Sequence, residues 1–141
     1  MTQIDRNQPS MENWLTLLVD PLPIRSIYGD FVPTLRSVNL HEVIIHRDGP
    51  KVVLRFDLAD FPEFPPKKWN ASKFNTVQVC LLMIGVKKLF ISGFDRTCIL
   101  DISIHKDDND INLSAISDNV QISIISSFAT IDKVSAYLKS V

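Results

Sequence analysis

The stretch LHEVIIHRDGPKVVLRFDL, residues 40 to 58, concentrates side chains that could do chemistry: two histidines, one glutamate and two aspartates. HEVIIH approaches the zinc-protease pattern, in which two histidines four residues apart on one helix face hold the metal and the glutamate activates water. His41 and His46 are five apart, roughly 140° on a helix, and on a regular strand odd and even positions face opposite ways. A shared metal is therefore not expected. HRD opens the catalytic loop of protein kinases, but that loop needs an asparagine five residues after the aspartate. After Asp48 that position is Val53.

A second group of carboxylates follows: Asp57, Asp60 and Glu63, at i, i+3 and i+6. A pair of carboxylates can serve as acid and base when the fold sets them across a substrate. This spacing runs from a strand end into a loop and implies no shared pocket. The same stretch carries Phe61, Phe64 and Trp69, with Lys67 and Lys68 close by. Aromatic anchors ringed by polar groups are what protein interfaces use. A solvated rim is the plain reading of these carboxylates; the neighbouring aromatics motivate recognition of a protein partner as the alternative, with candidate residues Asp57, Asp60, Glu63, Phe64, Lys68 and Trp69.

No nucleophile elbow, P-loop or dinucleotide fingerprint occurs, and four glycines leave little material for a phosphate cradle. The remaining histidine, His105, falls in another strand pattern. No catalytic residue, cofactor or metal site is expected. The chain has 141 residues, 45% of them hydrophobic and 22% charged, enough for one domain that needs no metal or disulfide. A net charge of -1 provides no basic field for a phosphate backbone. Neither a secretory leader nor an apolar run of membrane-spanning length is visible. Cys80 and Cys98 sit in apolar alternating segments, as small buried hydrophobes of a reducing compartment do. The expectation is a cytoplasmic protein that binds neither nucleic acid nor membrane, with nothing to indicate a homo-oligomer.

The elements that must position these residues follow from periodicity. Residues 1–9 are polar and expected to fray, leaving 10–141 as a single domain. Ser10 offers a cap for a helix whose stripe is Met11, Trp14, Leu15 and Leu18, stopping at Asp20 and Pro21. PIRSIYG predicts a second short helix ending at Gly29. Beyond Leu35 the period is two. Leu40 to Arg47 and Lys51 to Leu58 form strands around RDGP, a hairpin signal lengthened by a proline that cannot donate across the ladder. ADFPEFPPKKWNAS, residues 59 to 72, predicts an ordered excursion over one end of the sheet. Strands resume at 74–83 and 86–92, separated by a tight turn at Ile84–Gly85, then at 97–105, 111–116 and 120–126. TIDKVSAYL is read as a last strand because of its β-branched residues. The predicted fold is α+β and mainly β: one curved antiparallel meander sheet with one or two short N-terminal helices.

The motifs WLTLL, IRSIYG, PTLRSVNLHEVIIHRDGPKVVLRFDL, FPEFPPKKW and FNTVQV, in that order, resemble the immunity protein 50 family of bacterial polymorphic toxin systems. The likeness runs from Trp14 to Val79 and thins afterwards to ISGF and VSAY. Its matched positions are Arg47, Asp48, Gly49, Arg55, Asp57, Pro66, Trp69, Asn75 and Gln78. Phe94 stands where the family often has a tryptophan after the glycine matched by Gly93. The resemblance implies a small cytoplasmic protein, not an enzyme, that protects its producer by binding a cognate toxin domain and occluding its active site. It leaves open whether the motifs contact the toxin or define the fold, with the loops KDDND and SDN as the alternative contacts. A competing reading is a small-ligand-binding or hydrolytic domain on a curved β-sheet, which needs a deep pocket lined from several strands.

Overall fold

A computed structural model describes residues 13–140. The expected frayed segment, the Ser10 cap and Met11 lie outside the described residues. A 3₁₀ turn, Trp14–Leu17, is followed by helix α1, Leu22–Tyr28, with a proline in its first turn and Gly29 closing it through an N–H donated to the Arg25 carbonyl at 2.8 Å. Trp14 and Leu15 are buried, and Trp14 Nε1–H donates to the Pro33 carbonyl at 2.8 Å. The first tryptophan is thus a structural plug.

Six antiparallel strands follow: β1 Val38–His46, β2 Lys51–Asp57, β3 Thr76–Ser92, β4 Ile99–Asp107, β5 Asp110–Ile116 and β6 Gln121–Tyr137. A short helix, α2, Lys67–Ala71, interrupts the excursion between β2 and β3. The mainly β, antiparallel class is as the sequence predicts, and TIDKVSAYL is indeed strand. The strand order is not that of a plain meander. It runs β1-β2-β3-β6-β5-β4 and closes on itself. Closure at the β4–β1 seam rests on two residue pairs, Val38 with Leu100 and Asn39 with Ile99, extended by the Leu40 N–H to Cys98 carbonyl bond at 2.9 Å.

The two 17-residue strands, β3 and β6, make closure possible. They pair along nearly their whole length, while β2 pairs with only the first part of β3 and β5 with only the first part of β6. The predicted turn at Ile84–Gly85 is therefore a correction. The chain continues as one strand, with Gly85 at φ +70° and a register shift between Val86 and Lys88. Alternation interrupted by glycine looks the same whether the chain reverses or bulges. The partner strand decides, because β6 supplies partners on both sides. RDGP helps to hold the bulge: the Pro50 carbonyl accepts N–H bonds from both Gly85 and Val86 at 3.0 Å. A Cβ on Gly85 would stand 3.0 Å from Ser127 Oγ, so a side chain would crowd the facing strand.

Alternation places Val52, Leu54 and Phe56, then Val77, Val79, Leu81 and Met83, inside the barrel with matching residues of β4, β5 and β6. A barrel of six strands has room for its own side chains and little else. Among the described residues the interior is filled by this core, which removes the main support of the competing small-ligand reading.

Candidate functional site

The register slips between Leu40 and Glu42 in β1, and this bulge overturns the expected alternation. His41 and Glu42, consecutive in sequence, both turn to the outer side of the barrel, where each meets a β2 residue. His41 Nε2 lies 2.8 Å from Asp57 Oδ2, and Glu42 Oε1 accepts from Arg55 Nε at 2.9 Å. His46, opposite Lys51, shares that side at the far end of the hairpin. The two histidines therefore do not face apart as regular strand geometry predicts, yet they stay separated along β1.

Asp57 is 3% exposed and holds three donors. Besides His41, Gln78 Nε2 donates to Oδ1 at 3.0 Å and the Tyr137 hydroxyl to Oδ2 at 2.5 Å. Gln78 in turn accepts from Arg55 Nη1 at 3.3 Å. One polar chain, Glu42–Arg55–Gln78–Asp57 with His41 and Tyr137, thus ties β1, β2, β3 and β6 together. Burial alone would raise the Asp57 pKa, but the bonds from His41, Tyr137 and Gln78 outweigh it and hold the carboxyl below its ordinary range. Burial, then the hydrogen bond to Asp57 and its charge, push the Tyr137 phenol up to about 12.

A histidine beside a buried carboxylate invites a catalytic reading. Among the described residues, however, the one side-chain hydrogen bond of His41 is to Asp57. It shares a groove of about 280 Å³ with Cys98, whose thiol is pushed up by burial and by Asp95. A thiolate nucleophile needs the opposite shift. Cys98 and Cys80 are unbridged and half-buried, less enclosed than the sequence suggests.

Asp60 has a different task. Its carboxylate accepts the Thr34 N–H at 2.9 Å, and its carbonyl accepts the Tyr28 hydroxyl at 2.7 Å. Burial and then the Asp60 charge raise the Tyr28 pKa. Asp60 therefore ties the β2–α2 loop to the chain that follows α1. Beyond it Phe61 and Pro62 turn inward, and Phe61 packs with Trp69, ring centroids 6.2 Å apart. Trp69 is half-buried against the core in the middle of α2 and Lys68 is exposed.

Glu63 and Phe64 turn outward. With residues 26–31 and Phe61 they line an open cleft of about 550 Å³. Phe64 is 84% exposed and Phe31 56%. The charged groups lining this cleft are Asp30 and Glu63, and among the described residues neither makes an ion pair or a side-chain hydrogen bond. A larger cleft, about 670 Å³, lies near the 3₁₀ turn, but its Lys87 is already bridged to Asp110 at 2.7 Å.

The structure therefore divides the six predicted interface residues. Glu63 and Phe64 share the cleft, Asp60 and Trp69 brace it from behind, Lys68 is exposed outside its lining, and Asp57 belongs to the polar chain. Sequence reasoning did not single out Asp30 and Phe31 for this surface. Their signal was the run YGDF, where a helix-ending glycine precedes an acidic and an aromatic residue that have no part in the period-two pattern. His41 and Tyr137 were invisible as Asp57 partners because one depends on a bulge and the other lies 80 residues away.

Several motif positions have structural partners. Arg55, Asp57 and Gln78 form the polar chain, and the Pro66 carbonyl accepts the Trp69 N–H at the start of α2. Asn75 exchanges two bonds with the backbone of Lys139, at 2.8 and 3.1 Å.

Fold and site together describe a small filled β-barrel whose clefts open on its surface. The chain belongs to the Immunity protein 50 family, whose model matches residues 20–137. Membership implies an immunity protein and, with it, a toxin as protein partner. No curated protein and no solved structure matches the chain. Among the described residues no helix is long and apolar enough to cross a membrane.

Proposed function

We propose that this protein neutralises a cognate toxin of a bacterial polymorphic toxin system in the cytoplasm, docking through the face formed by the end of α1 and residues 59–69 and so blocking the toxin's active site. The observation that carries the reading is the pairing of two strongly exposed phenylalanines, Phe31 and Phe64, with two carboxylates free of ion pairs around one cleft. An exposed aromatic with a polar rim is the composition of an interface anchor. Within this reading Phe64 is the anchor, Glu63 and Asp30 steer the partner, and Asp60 and Trp69 hold the loop in its docking shape. Lys68 lies at the rim and Asp57 acts at a distance by fixing the strand from which the loop departs.

Occlusion needs no reaction by the immunity protein. A stable inhibitory complex would bury on the order of 1,600 Å² in total, so the cleft is the centre of a larger contact. The test is co-expression with the toxin encoded by the neighbouring gene. The wild-type protein restores growth, and Phe64→Ala combined with Glu63→Lys does not, although the variant accumulates to the same level. Equal protection by the variant would remove this face from the interface.

A further inference from the structure

We infer that the cleft between α1 and the 61–64 turn is a receptor for one cationic side chain of the toxin, the guanidinium of an arginine; this rests on the toxin-binding reading above. Phe31 and Phe64 are exposed, Phe61 forms part of the wall, and Tyr28 lies 6.3 Å from Phe31, centroid to centroid. Rings of this kind attract a cation through their negative faces. Asp30 and Glu63 supply two carboxylates, with no positive group in the lining to neutralise them. An apolar occupant would cover those carboxylates without pairing them, at a desolvation penalty. An anionic occupant would be repelled. A planar guanidinium satisfies both features, stacking on a ring while its fork of donors reaches carboxylate oxygens, which a lysine ammonium matches less well.

The cleft is also shaped before a partner arrives. Pro62 is buried beside Phe61, Pro65 and Pro66 follow Phe64, and the Asp60 bonds to Thr34 and Tyr28 close the loop from the other side. Three prolines in five residues restrict the backbone in the free protein, so little order remains to be imposed on binding. The volume, about 550 Å³, holds an arginine side chain together with a short piece of its backbone.

The experiment is an NMR titration of the intact protein with N-acetyl-arginine methylamide, and in parallel with the citrulline analogue, which keeps the shape and loses the charge. Saturable shifts are expected at Gly29 to Phe31 and Phe61 to Phe64, at least roughly tenfold weaker with citrulline, the size expected for losing a hydrogen bond to a charged group. Glu63→Gln and Asp30→Asn should each weaken arginine binding without altering the remaining spectrum. Absence of saturable shifts in the cleft, or equal binding of citrulline, overturns the inference. So does full protection against the neighbouring toxin by the Asp30→Lys, Glu63→Lys double variant when wild type protects. Failure of the wild type itself to protect would sink the immunity reading, while the titration still decides the chemistry of the cleft.

Discussion

Asp57 and Glu63 lie six residues apart and face opposite situations. Asp57 is buried with its two oxygens shared among His41, Gln78 and Tyr137, whereas Glu63 stands in an open cleft beside a phenylalanine that is 84% exposed. The first carboxylate has its full set of partners inside the chain, and the second has none among the described residues. A satisfied polar group stabilises the fold and has nothing left to offer a partner; an unsatisfied one contributes little to folding and keeps its binding capacity. Asp60, between them, joins the two regions by tethering the cleft loop to the chain after α1.

Removing the centre of the satisfied cluster should have the largest effect. Asp57→Ala leaves three buried or half-buried donors without an acceptor and is expected to lower stability by about 3 kcal/mol, read from urea denaturation. An effect under ~1 kcal/mol would mean that the cluster is decoration rather than a tie between strands. Trp69→Ala comes next, at about 2 kcal/mol, below the full core value because the ring is half-exposed. A Trp69 variant of unchanged melting temperature but weakened toxin binding would move that residue from brace to anchor.

The pH dependence of stability should be smaller and two-sided. The folded Asp57 pKa is depressed, so its stabilising contribution is complete above about pH 4 and disappears as pH falls through the folded value. The folded Tyr137 pKa is raised, so its contribution is complete below about pH 10 and disappears as pH climbs towards about 12. Tyr137→Phe should flatten the alkaline limb and shift the acid limb to higher pH, because Asp57 loses a donor. Urea midpoints measured against pH test both limbs. An unaltered acid limb would contradict the assigned bond.

The smallest stability effect belongs to the cleft. Phe64→Ala should change unfolding free energy by no more than ~0.5 kcal/mol, as expected for an exposed side chain, while weakening toxin binding measured by calorimetry. A large loss of stability would erase the contrast between the two regions.

Much of the fold was legible in the amino-acid order. Alternation in KVVLRFDL, the RDGP hairpin and the short helix ending at Gly29 all depend on residues within a few positions of one another. What escaped were the events that depend on a distant partner. Gly85 reads as a turn until β6 is seen running past it, and His41 reads as facing away from Glu42 until the bulge is known. The cleft was half legible. Glu63 and Phe64 stood out beside prolines, but Asp30 and Phe31 join them only because the Asp60 tether and the packing of α1 bring two chain segments together.

By itself the sequence determined a mainly β antiparallel protein with a helical start, and through its ordered motifs a family, because hydrophobic period, turn chemistry and motif order are local properties. Closure of the sheet into a filled barrel, and the division of Asp57, Asp60 and Glu63 into tie, tether and free rim, were decided only by the tertiary structure. A carboxylate's role depends on which donors surround it, and those donors come from strands and loops that only the fold brings within hydrogen-bond reach.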